Sequence, residues 1–168
     1  MAKIKGIELK NVKEFRGHEG EDLMQGDVYY KNKKVGFYSQ DAHGGMDTFD
    51  IFYDIDRDTR KEIMEIANNY IGGVLFKKID DLYDKMYNYT GNHTYEKKGY
   101  EYLFMDLLEL YDHEKLYKKY SKKYNDNTIY IIYDDVFSRR IGNSIFGKIG
   151  SKDKTFFKYD GLKDFVIE

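Results

Sequence analysis

Cysteine, proline and tryptophan are all absent from this chain of 168 residues. Without cysteine there is no disulfide, no thiolate metal site and no cysteine nucleophile. No run approaches the roughly 18–20 apolar residues that a membrane-spanning helix needs. The opening Met1-Ala2-Lys3-Ile4-Lys5-Gly6-Ile7 lacks the apolar core of a signal peptide, so the expected compartment is cytoplasmic, with no membrane partner. Charge of one sign is also missing: the net charge is −2, which argues against a wholly basic DNA-coating protein and against an acidic tail. The motifs of common enzyme classes are absent too. There is no phosphate-cradling glycine loop ending in Lys-Ser/Thr, no GxSxG, no HExxH and no dinucleotide fingerprint. Gly142-Asn143-Ser144 and Gly147-Lys148 lack the required spacing. No cofactor is expected.

Aromatic residues are plentiful, with 18 Tyr and 11 Phe. Such side chains bury large areas, so core and interface alike should be built on Phe, Tyr, Ile and Leu. The lack of proline, beside heavy use of Lys, Tyr, Asn, Asp and Ile, does not signal disorder, because apolar periodicity continues along the chain.

Residues 3–54 read as strands. Ile7 and Leu9 alternate with Glu8 and Lys10, and Val28 and Tyr30 alternate with Tyr29 and Lys31. A polar step at Asn32-Lys33 separates this second run from Val35 and Phe37, a hairpin pattern. Thr48 to Ile55 adds a further strand. From residue 57 to 123 the period changes to that of helices. Ile63, Ile66, Ala67, Tyr70 and Ile71 share one face, with Asp56 or Asp58 as N-cap and Gly72-Gly73 as stop. Ile79, Leu82, Tyr83 and Met86 form a second face. Tyr100, Leu103, Phe104, Leu107, Leu108 and Tyr111 form a third, and Leu116, Tyr117, Tyr120 and Tyr124 a shorter, more basic fourth. Strand character returns at Thr128 to Tyr133, at Phe156-Phe157 and at Phe165 to Ile167. Ile141 to Gly150 is left unassigned. The expected fold is therefore α+β: an N-terminal antiparallel β-meander, a central segment of three to four helices, and C-terminal strands joining the sheet. No linker or repeat divides it, so residues 1–168 are expected to form a single domain. Residues 1–111 carry −5 and residues 112–168 carry +3, so the molecule is open to being bipolar.

Four constellations bear on function. The first, Phe15-Arg16-Gly17-His18-Glu19-Gly20-Glu21, gathers a guanidinium, an imidazole and two carboxylates within a predicted loop. It suits a divalent metal or a general base. It equally suits a solvated turn in which Gly17 and Gly20 adopt special dihedrals and Arg16 pairs with a carboxylate. The second, Asp41-Ala42-His43-Gly44-Gly45-Met46-Asp47, offers His18 a partner if both loops lie at one end of the sheet. His18, Asp41 and His43 would then be the alternative metal ligands, with Glu19, of a small nuclease or phosphohydrolase. The third, Leu116 to Tyr124, interleaves Lys118, Lys119, Lys122 and Lys123 with tyrosines, a pattern fit for phosphate neutralisation and base stacking and equally for an amphipathic helix with lysine stems along it. The fourth runs through Asp80, Asp81, Tyr83, Asp84, Tyr87 and Tyr89, with Tyr95, Tyr100 and Tyr102 nearby. A tyrosine surplus of this kind suits a protein-binding surface, and its aspartates, like Asp134 and Asp135, suit mimicry of nucleic-acid phosphate. Arg16, Glu19 and Glu21 join the expected partner-binding set. No catalytic residue is assigned.

Several strings carry a resemblance. Ile4-Lys5-Gly6-Ile7-Glu8-Leu9-Lys10, the Phe15 to Glu21 stretch, Gln25-Gly26-Asp27-Val28-Tyr29 and Lys33-Lys34-Val35-Gly36-Phe37-Tyr38-Ser39 resemble small proteins of Firmicutes phages and mobile elements, as do Asp41 and Gly44-Gly45. The likeness covers about the first 50 residues, and the composition is similar to that of AT-rich bacteria and their phages. Some proteins of this type look like anti-CRISPR inhibitors of type II systems. The resemblance implies counter-defence in a bacterial host cytoplasm, by binding a CRISPR-associated nuclease such as Cas9 and blocking DNA binding or cleavage. It carries over no functional residue.

Overall fold

The computed structural model describes residues 1–73, 98–134, 139–141 and 154–168. Nine strands and two α-helices follow the chain as β1 (Lys3–Ile4), β2 (Ile7–Arg16), β3 (Asp22–Tyr30), β4 (Lys33–Ser39), β5 (Thr48–Ile51), α1 (Arg57–Asn69), α2 (Tyr100–Tyr124), β6 (Ile129–Asp134), β7 (Arg139–Ile141), β8 (Lys154–Tyr159) and β9 (Val166–Ile167). The fold class is α+β, as the segregated patterns predict.

The expected meander is present. Strands β5-β4-β3-β2-β1 lie in that order, antiparallel throughout, and β9 completes the sheet by pairing parallel with β1. Its alternation is direct: Ile7 faces Tyr30 and Leu9 faces Val28 across one ladder, and all four are buried. The β3–β4 turn sits one residue earlier than the sequence spacing places it. Lys31 and Asn32 are its central residues, both with positive φ (48° and 67°), the type I′ geometry whose twist suits a two-residue hairpin. Gly36 is required by close approach, since a Cβ there would lie 2.3 Å from the backbone oxygen of Asp50 on β5.

Asp56 caps α1, its carboxylate accepting the Thr59 amide at 2.9 Å. Ile63 and Ala67 turn inward. The third and fourth helical patterns are one continuous helix of 25 residues. Nothing between Tyr111 and Leu116 breaks it, because Asp112 to Lys115 contains neither glycine nor proline. It ends at Asn125, whose left-handed conformation (φ 48°) lets its amide reach the Ser121 carbonyl. The described α-helices therefore number two, with one short 3-10 helix (Leu162–Phe165) before β9. The second pattern, Ile79 to Met86, lies outside the described residues, as does most of the unassigned stretch from Ile141 to Gly150.

The C-terminal strands depart from expectation. Among the described C-terminal strands only β9 joins the main sheet; β7-β6-β8 form a separate three-stranded antiparallel sheet. Its inner residues Ile129, Phe157 and Tyr159 belong to the same buried cluster as Ile4, Ile7, Val28, Val35, Ile63, Phe104 and Phe165. Long α2 lies between the two sheets and is buried along a broad arc, Leu103, Phe104, Leu107, Leu108 and Leu110 among others. Among the described residues no helix is long and apolar enough to cross a membrane.

Four charged or polar side chains are buried in this frame: Glu8, Asp106, His113 and Glu114. Each has a charged or hydrogen-bonding neighbour, as burial demands. Glu8 lies 2.9 Å from Lys10 Nζ and 3.7 Å from Lys3 Nζ. Asp106 accepts the Tyr70 hydroxyl at 2.7 Å and the Gly73 amide at 2.9 Å. His113 is held between Glu109 and the Tyr159 hydroxyl, each at 2.7 Å, joining α2 to the second sheet. Glu114 accepts the Ala2 amide at 2.7 Å and faces Lys118 Nζ at 2.7 Å and the amino group of Met1 at 3.0 Å.

Candidate functional site

In a meander, β2–β3 and β4–β5 turn at the same end of the sheet. The two histidine loops do meet there. The His18 amide donates to the Ala42 carbonyl at 2.8 Å, and the rings of His18 and His43 lie 5.2 Å apart between centres, inclined at 46°.

Each loop is held from within. In the first, the Gly17 amide donates to the Glu21 carbonyl at 2.9 Å and the Gly20 amide to the Gly17 carbonyl at 3.1 Å. The Glu21 carboxylate accepts the Glu19 amide at 2.9 Å. Arg16 donates to the Gly20 carbonyl at 2.7 Å and faces Asp22 at 3.3 Å. Of the two glycines expected to need special dihedrals, Gly20 does (φ 83°) and Gly17 does not; the Glu21 carboxylate folds over Gly17, 2.2 Å from where a Cβ would stand.

In the second loop, one Asp41 oxygen accepts the amides of His43 and Gly45, both at 2.8 Å. These two bonds, Gly45 first, hold the Asp41 carboxyl below the usual carboxylate range. Asp47 is the hinge between loop and body. Its carboxylate accepts the Tyr38 hydroxyl and the Asp41 amide. Its own amide donates to Glu101 at 2.9 Å, and its carbonyl accepts the Tyr100 hydroxyl at 2.7 Å. Burial and then the Asp47 carboxylate push the Tyr38 hydroxyl well above the ordinary tyrosine range, so it acts as a fixed donor. The first turn of α2 thus anchors the loop that carries His43. Sequence spacing offers no signal for this, because Tyr100 and Glu101 are more than fifty residues away.

The carboxylates of Asp41, Asp47 and Glu21 are therefore committed to loop architecture. Among the described residues no group of three or more His, Asp or Glu side chains is arranged to hold a metal ion. The loop end presents outward Arg16, His18, Glu19 and His43, together with Met46, which is 69% exposed. Met105, one turn beyond Glu101 on α2, is exposed as well.

The lysine-tyrosine stretch divides on inspection. Tyr117 is buried, its hydroxyl donating to the Asn127 carbonyl at 2.8 Å and its ring 5.4 Å from Phe165. Lys118 is drawn to Glu114. Lys119, Lys122 and Lys123 remain exposed. The rings of Tyr120 and Tyr124 stack at 5.8 Å, with Lys119 over the first and Lys123 over both. Asp80, Asp81, Tyr83, Asp84, Tyr87 and Tyr89 lie outside the described residues. The chain on either side of them is pinned at the start of α2 by an isolated bridge between Ile71 and Lys98 and by the Gly99 amide donating to the Tyr70 carbonyl at 3.1 Å. A shallow hollow of 420 Å³ lined by Asn11, Val12, Lys13, Gln25, Asp27 and Phe37 is a weaker candidate, since its acidic member Asp27 is already bound by Asn11 and Lys34, each at 2.8 Å.

Comparison of the chain with protein-family models, with curated proteins and with solved structures finds no match to any of them.

Proposed function

We propose that this chain is an inhibitory binding protein of the phage or mobile-element kind, one that covers a surface of a host defence nuclease such as Cas9 and blocks its DNA binding or cleavage. The observation carrying this reading is the paired-loop end of the sheet. Two hairpin loops are tied to each other and to α2 by hydrogen bonds that use up their own carboxylates, leaving Arg16, Glu19, His43 and Met46 on a preformed outer surface. Preformed surfaces lose little entropy on docking, which favours affinity. Asp80, Asp81, Tyr83, Asp84, Tyr87 and Tyr89, expected from the sequence to join the partner-binding set, lie outside the described residues.

The test is direct association. Purified chain mixed with a purified Cas9–guide complex is expected to co-elute with it in size-exclusion chromatography and to inhibit its cleavage of target DNA. Failure to bind Cas9 or any other host defence nuclease would overturn the reading.

One observation favours a second reading. The stacked Tyr120–Tyr124 pair flanked by Lys119, Lys122 and Lys123 offers single-stranded nucleic acid both cations and aromatic surface. Binding there would be steeply salt-dependent.

A further inference from the structure

We propose that His18 and His43 form a two-histidine site for a zinc-class transition-metal ion, which clamps the β2–β3 loop to the β4–β5 loop. An imidazole nitrogen lies about 2.0 Å from zinc and the ring centre about 1.1 Å beyond it, so two rings on one tetrahedral ion have centres about 5 Å apart. The observed separation is 5.2 Å, with the planes inclined and not stacked face to face.

Three further features support the site. The backbone around both rings is fixed before any ion arrives. His18 is held through its amide to Ala42 and His43 through its amide to Asp41. Binding therefore has only the two side chains, and not the loops, to order. Imidazole is also a ligand suited to zinc, nickel and copper and poorly suited to magnesium or calcium. The Asp41 carboxylate, which accepts the amides of His43 and Gly45, adds a negative charge to the loop that carries His43. Because no third ligating side chain stands in the group, water fills the remaining positions in the isolated protein. That open half is the chemical difference from a closed structural zinc site with four protein ligands. The site does not depend on the inhibitory reading above, since it is read on the isolated chain with no partner present.

Calorimetric titration of the full chain with zinc chloride, and separately with nickel chloride, tests it. Saturable uptake of one ion per chain is expected at about pH 7.5. Uptake should weaken as the pH is lowered, because protons compete with the ion for the same ring nitrogens. His18→Ala and His43→Ala should each weaken binding about tenfold or more, whereas His93→Gln should not. Nickel should broaden the ring-proton resonances of His18 and His43 together and spare buried His113. Circular dichroism and urea unfolding of the metal-free variants are expected to match the parent, since neither ring is part of the core; His18→Gln and His43→Gln, closer in size, repeat the test if an alanine variant does not fold. Absence of saturable uptake overturns the site, and so does uptake that survives substitution of both His18 and His43.

Discussion

Replacing Asp47 by alanine removes the carboxylate that accepts the Tyr38 hydroxyl and the Asp41 amide, while the backbone bonds of residue 47 to Glu101 and Tyr100 can persist. Tyr38 is fully buried, its ring stacked on Phe104 at 4.2 Å, so its hydroxyl has no water to turn to. A hydrogen bond to a charged group is worth about 1.5–3 kcal/mol, and an orphaned buried donor costs about 1–3 kcal/mol. The Asp41 amide lies in a part-exposed loop and recovers water, adding little. Asp47→Ala should therefore cost about 2–4 kcal/mol in urea unfolding, or about 2–4 °C of midpoint per kcal/mol for a chain of this length. Tyr38→Phe alone should cost less, because the carboxylate it abandons remains partly hydrated. The double variant is the decisive one. With both partners gone no donor is left unsatisfied, so its cost should fall short of the summed single costs by about 1 kcal/mol or more. Additivity to within about 0.5 kcal/mol, or a cost for Asp47→Ala inside that margin, refutes the role given to Asp47.

Gly36→Ala should destabilise the protein by about 1–3 kcal/mol in the same assay, because its Cβ would press on the Asp50 backbone oxygen at 2.3 Å and force β4 and β5 apart. Asp56→Ala should cost about 0.5–2 kcal/mol through loss of the α1 cap, read as a lower unfolding midpoint with unchanged denaturant slope. Burial raises the pKa of Glu114, but Lys118, the Met1 amino group and the Ala2 amide outweigh it and hold the carboxyl below its usual range. A folded pKa depressed in this way gives stability that is present above the unfolded value of about 4.3 and is lost as pH falls through the folded one. The stability gap between the parent and Glu114→Gln, measured by urea unfolding across pH, should be full near neutrality and close in acid. A labelled single-stranded oligonucleotide tests the second reading: its anisotropy signal should weaken steeply between about 50 and 200 mM salt and in the double variant Lys119→Glu/Lys123→Glu, and an unchanged signal in that variant removes the reading.

What was legible in the sequence follows from periodicity and local chemistry. The alternation of Ile7 and Leu9 with Glu8 and Lys10, and of Val28 and Tyr30 with their neighbours, placed the inner face of the meander correctly. Of the two aspartates that marked the start of α1 in the sequence, Asp56 is the cap and Asp58 lies in the first turn. The same alternation turns Glu8 to the other face but does not show that it is buried there, flanked by Lys3 and Lys10. Two helical patterns became one because a change of composition toward lysine at residue 115 is not a break in backbone geometry. Pairing partners far apart in sequence were not legible at all. Nothing in β6 to β8 distinguishes strands that extend the first sheet from strands that build a second one. At the candidate site the residue types were visible, but their meeting was not: it depends on the meander's strand count, and on Tyr100 and Glu101 reaching back to Asp47. Of the tyrosines sharing the fourth helical face, Tyr117 is the buried one, bonded to Asn127, and Lys118 stays exposed while its ammonium group pairs with Glu114.

The claim on which the functional account stands is that this molecule acts by occupying a partner, with no bond made or broken. The most direct measurement incubates the purified chain with single- and double-stranded DNA and RNA and with a phosphate ester, in turn with magnesium, manganese and zinc, and follows product over time. The account predicts no product above the protein-free control under any of these conditions. Turnover of any of these substrates that disappears in His18→Ala or His43→Ala would contradict it.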